Sequence, residues 1–127
     1  MCHRKVTLAL FLMLPSMACG GGANTDGAEV LRTGDPYERR LTDDDFPRVK
    51  ELADNVYSYE QLRSAGDEKF TTVSLFVVTS EGVLVADGQG SVDETARLMD
   101  TIAEITDQPI THVVIGSDHG DHTAGNS

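Results

Sequence analysis

The chain has 127 residues, and its Asp and Glu residues outnumber Lys and Arg by 21 to 10, for a formal net charge of −11. That length holds one folded domain at most. The acidic balance, with no basic patch along the chain, excludes nucleic acid as a partner and favours solubility.

Residues 1–18 read as an export signal. Arg4 and Lys5 precede the apolar run Val6 to Leu14, which is too short to span a bilayer and suited to a signal core. Ser16-Met17-Ala18 supplies small residues at the cleavage positions, and Cys19 follows with Gly20-Gly21-Gly22. This looks like a bacterial lipoprotein signal, in which Cys19 becomes the lipidated first residue. Ser16 stands where leucine is usual, so an ordinary secretory signal cut at the same bond is the other reading. Cys2 leaves with the signal, so the mature chain keeps only Cys19 and forms no internal disulfide. Residues 19–45, rich in glycine and ending in Asp43-Asp44-Asp45, bury too little apolar surface to fold and form a flexible tether. The expected location is therefore export, as a periplasmic or membrane-anchored lipoprotein of a bacterium, touching the membrane only through Cys19.

The folded part spans residues 46–127. Val49, Leu52 and Val56 are spaced like one face of a short helix. Val56 to Leu62 alternates as a strand, with Tyr57 and Tyr59 on one face, and Ser64 to Glu68 is a turn. Phe70 to Thr79 is rich in β-branched residues and is a strong strand. Ser80-Glu81-Gly82 turns it, and Val83 to Ala86 returns as its hairpin partner. Both strands are apolar on both faces near their centres, which implies a sheet covered on two sides.

Ser91 opens a helix. Ser91 and Glu94 form a capping box in which each side chain satisfies a free backbone N–H. Val92, Ala96, Met99, Ile102, Ala103 and Ile105 make an apolar stripe at helical spacing, with Met99 in the core. Asp107-Gln108-Pro109 ends the helix. Ile110 to Ile115 is the last strand, and a strand–helix–strand crossover makes it parallel to its neighbour. Its carboxyl end is where open α/β sheets place their sites.

That end runs into His119-Gly120-Asp121-His122. Two imidazoles and a carboxylate this close together suit zinc or iron, and Gly120 permits the irregular backbone such a site needs. The segment resembles the His-x-His-x-Asp-His signature of the metallo-β-lactamase superfamily, and Thr123-Ala124-Gly125-Asn126 resembles its small-residue tail. The resemblance implies an α/β fold, the first half of an αββα sandwich. It implies that His119 binds a first metal and that Asp121 and His122 bind a second, with Asp121 also orienting the nucleophile as the catalytic group. The implied cofactor is Zn2+, one or two ions in the complete domain, with iron as the other transition metal that fits.

Ser117 stands where the signature has its first histidine, and a serine hydroxyl is a poor zinc ligand because it is far from ionised at neutral pH. Asp118 is expected on the opposite face of the segment. In the resembled family an aspartate follows the returning strand in a glycine loop beneath the metals. Asp87 of Asp87-Gly88-Gln89-Gly90 fits that position, with a plain acidic turn as the alternative. Later segments of the family supply further histidines and a bridging carboxylate. The function implied is the N-terminal fragment, or a relic, of an exported metal-dependent hydrolase that uses a metal-activated water on a small-molecule substrate, inactive as this chain. The alternative is a non-catalytic lipid-anchored binding protein with a degenerate metal site.

Overall fold

A computed structural model describes residues 33–126. The expected signal, Cys19 and the first part of the tether lie outside the described residues.

Five strands form one mixed sheet in the order β1 (Arg48–Ala53), β2 (Val56–Ala65), β3 (Glu68–Thr79), β4 (Gly82–Ala86) and β5 (Ile110–Val114). The first four are a meander of antiparallel hairpins. Each hairpin closes on a two-residue turn whose chemistry suits it. Asn55 takes a left-handed φ of 62° in the first turn, and Gly66 a φ of 63° in the second. Gly82 ends the third at a φ of 130°, where a Cβ would meet Thr111 and the Pro109 carbonyl. Helix α1 (Val92–Ile105) then crosses over, and β5 pairs with β4 in parallel. A single turn, α2 (Gly120–Thr123), follows the last strand.

The expected short helix at Val49 and Leu52 is instead strand β1. A helix of that length nucleates poorly, whereas the segment gains a ladder against β2 with Val49 opposite Tyr59 and Lys50 opposite Ser58. The tether expected to reach residue 45 is docked well before that point. Pro36 is buried, Tyr37 Oη donates to Asp43 Oδ1 at 2.6 Å, and Arg39 pairs with Glu60 on β2. Glu60 is nearly buried, and Thr71 Oγ1 also donates to it at 2.7 Å. A buried carboxylate is tolerated only with such partners, so Arg39 fixes the segment to the sheet.

The strand period puts Tyr57, Tyr59, Thr72, Ser74, Phe76, Val83 and Val85 on one face, and α1 lies over it with Leu98 and Ile102 fully buried. Tyr59, Phe76, Val83, Val85, Leu98 and Ile102 make the core, and Tyr57 stacks on Phe76 at 4.8 Å. The stripe expected on α1 is out of phase. Leu98 faces the sheet, while Val92, Met99 and Ile105 are largely exposed. Met99 is a rim residue. It borders an open apolar hollow of about 280 Å³ between α1 and β5, beside Ile110 and Val113.

The other face of the sheet, expected to be covered, is open among the described residues. Val73 and Leu75 are each 40% exposed there. Neighbours on one strand should therefore differ sharply. Leu75→Ala is expected to shift stability by about 0.5 kcal/mol or less in this chain, as for an ordinary surface site. Urea unfolding measures this, and a cost near that of a core residue would mean that something covers the face.

Candidate functional site

The site is built where two loops meet beyond the carboxyl ends of parallel strands β4 and β5. One is Asp87–Gly90. The other is the segment from Gly116 through α2 to Asn126. Backbone bonds stitch them together. Asp87 N donates to the Val114 carbonyl at 2.8 Å, Gly88 N to His122 O at 3.0 Å, and Gly125 N to Gln89 O at 2.9 Å. Gly88 lets the two loops approach closely, since a Cβ there would push the Asn126 amide aside.

Asp87 is the hinge of this assembly. It holds a left-handed backbone, φ 62°, uncommon for a residue with a Cβ and best tolerated by Asn and Asp. Its carboxylate binds the motif loop twice. Oδ1 accepts from Gly116 N at 2.6 Å, and Oδ2 lies 3.2 Å from His122 Nδ1. A carboxylate offers no proton, so Nδ1 must carry the hydrogen for that contact to bond. The tautomer with Nδ1–H leaves the Nε2 lone pair free.

Nε2 points toward Asp121, whose Oδ2 is 3.6 Å away. Thr72, buried on β3, donates its hydroxyl to the same Oδ2 at 2.9 Å. Burial works against ionisation of Asp121. The Thr72 hydroxyl, the backbone N–H, the neighbouring His122 and the charge of Arg63 together outweigh it and hold the carboxyl below its ordinary range. Asp121 is thus an anionic carboxylate beside His122 Nε2.

His119 does not join them. It is exposed at the N-cap of α2, and its carbonyl accepts from Thr123 Oγ1 at 3.0 Å. Ser117 is half-buried and turns its hydroxyl to accept from His119 N at 3.3 Å. Asp118 is exposed. Among the described residues, no three His, Cys, Asp or Glu side chains cluster closely enough to hold a metal ion. Of the three expected ligands the structure brings two together, Asp121 and His122. Their chemistry, one carboxylate and one oriented imidazole, fits zinc. Their number falls one short of what a catalytic zinc ordinarily takes from protein.

No protein-family model matches the chain, and no curated protein matches it. Solved structures do. The β-lactamase TMB-1 superposes with a TM-score of 0.55 at 23% identity, over 61% of this chain and 36% of that one. A metallo-β-lactamase from Erythrobacter litoralis superposes with a TM-score of 0.57 at 18% identity, over 61% and 35%. One from Pontibacter korlensis gives a TM-score of 0.59 at 22% identity, over 62% and 37%. The chain has the metallo-β-lactamase fold. It spans about a third of the length of the structures it matches, and the mixed sheet with α1 against it is half of the metallo-β-lactamase sandwich.

Two residues of the site carried no signal in the sequence. Thr72 holds Asp121 from 49 residues away. Arg63 bonds Glu94 from 31 residues away. Glu94 does not reach the Ser91 backbone as a capping box would. It accepts from the Ser91 hydroxyl at 3.0 Å and pairs with Arg63 at 2.7 Å.

Proposed function

We propose that Asp121 and His122 form one half of the metal site of an exported hydrolase, completed by donors other than those described, and that this chain alone does not turn over substrate. The observation that carries the reading is the convergence of the Asp121 carboxylate and His122 Nε2, with Asp87 fixing the tautomer. The fold shared with metallo-β-lactamases supports it. A zinc ion bound there would supply Lewis acidity and lower the pKa of a bound water. Thr72 keeps Asp121 aimed, Asp87 keeps Nε2 aimed, and Asp121, held as the anion, can orient a water through its second oxygen. The substrate class is a small molecule, and the fold alone does not choose among ester, thioester, lactam or phosphoester. Export, with a lipid anchor at Cys19, belongs to the same proposal.

Zinc binding by the full-length chain, measured by competition with a chromophoric chelator, tests it. The expected result is weak binding that His122→Ala abolishes. Binding that survives His122→Ala would overturn the assignment. The exposed position of His119 favours the second reading, a binding protein with a degenerate site, and an apo chain with normal folding would select it. Ser117→His should restore a donor and tighten zinc roughly tenfold. The same titration checks this, and an unchanged affinity would mean that position 117 does not face the metal.

A further inference from the structure

We infer that Arg63, a residue of β2 outside the motif, is a positioning residue of this site: it pins the glycine loop 87–90 against the start of α1. The inference rests on the reading of Asp121 and His122 as ligands, and it adds a group that holds the loop that aims His122. Three observations carry it. First, Nη1 donates to both oxygens of Glu94, at 2.8 and 2.7 Å, and Glu94 in turn holds the N-cap Ser91. This fixes the guanidinium between β2 and the start of α1. Second, the guanidinium lies directly on Gly90, where any Cβ would collide with Nη2 and Cζ. Gly90 closes the loop that begins at Asp87, so the cation forms one wall of the loop that aims His122. Third, Arg63 shares the helix-side face with Thr72, the residue that bonds Asp121.

The remaining donors argue against a merely structural ion pair. Nε and Nη2 of Arg63 are buried and make no hydrogen bond among the described residues. Buried donors left unpaired cost stability, and a lysine could have made one contact to Glu94 without them. What arginine alone provides is a flat, rigid, fixed charge that can lie against a glycine and face a carboxylate at the same time.

The test uses the full chain with Arg63→Gln and Arg63→Lys, and two readouts. Without metal, amide hydrogen exchange is followed at Gly88 and Gly116, whose N–H groups are held by the two loops, and at Val78 in the β3–β4 hairpin as a reference. Arg63→Gln is expected to speed exchange at Gly88 and Gly116 about tenfold relative to Val78. Arg63→Lys should fall between Gln and wild type. With zinc, Arg63→Gln should weaken binding about tenfold or more, as for loss of a residue that orients ligands. Equal changes at all three amides would show a global stability effect only and would overturn the inference. If Arg63→Gln does not fold, the same comparison is made with Arg63→Lys, and an unchanged ratio there has the same force. If the wild type fails to bind zinc, the ligand reading falls, while the exchange ratio still decides the role of Arg63 in the loop.

Discussion

Phe76→Ala is expected to destabilise the domain by about 3–5 kcal/mol, the range for removing a fully buried aromatic ring. Phe76 is 0% exposed and sits at the centre of the core, opposite Tyr57 on β2 and Val85 on β4. The ring fills the space under Leu98 and Ile102 and carries the stack with Tyr57. Its removal leaves a cavity that a β-sheet floor cannot collapse into, and it also removes the aromatic pair. Domains of this size are stable by about 5–15 kcal/mol. Only six apolar side chains form the buried cluster among the described residues, so the loss is a large share of the total. Urea denaturation followed by circular dichroism should show a much lower midpoint, or no folded baseline. A shift as small as that expected for Leu75→Ala would mean that the helix-side face is not the core.

Asp87→Ala is expected to weaken zinc binding about 10–100-fold, the usual cost of losing a group that orients a metal-bound histidine. Two effects combine in that variant. The carboxylate that holds Gly116 N and His122 Nδ1 disappears. Alanine must also occupy a left-handed φ, at a cost of about 1–2 kcal/mol. Asp87→Asn separates them. Asparagine tolerates that backbone and its amide oxygen can still accept from Gly116, but the charge facing His122 is gone. Thermal stability should therefore change little in Asp87→Asn and fall in Asp87→Ala, while both lose zinc affinity. Wild-type affinity in both would reduce Asp87 to an acidic turn.

Much of this was written in local pattern. The β3–β4 hairpin, the Ser91 start of α1 and the parallel β5 all follow from short-range signals: strand period, turn residues, helix caps and a chain reversal. The errors arose where a distant partner decides. Val49 and Leu52 carry helical spacing, yet Val49 pairs with Tyr59, ten residues on, and Leu52 falls at an irregularity of the same ladder. On α1 the apolar residues allow two stripes, and packing on Phe76 and Val85 selects Leu98 over Met99. The tether boundary failed because Glu60 needs a cation and Arg39 supplies it. At the site, the motif groups His119 with Asp121 and His122, and a six-residue signature does not reveal that α2 starts at Gly120 and leaves His119 at its exposed cap. Thr72 and Arg63 lie on other strands, and nothing near them in the chain announces a role.

The claim on which the rest stands is that Asp87 holds His122 with Nε2 presented beside Asp121. Side-chain nitrogen NMR of full-length chain labelled in histidine, recorded before and after zinc, measures this directly. The account predicts a protonated Nδ1 on His122 in the metal-free chain, and a zinc-dependent shift of its Nε2 resonance. A proton on Nε2, or His122 resonances that zinc leaves unmoved, would contradict it.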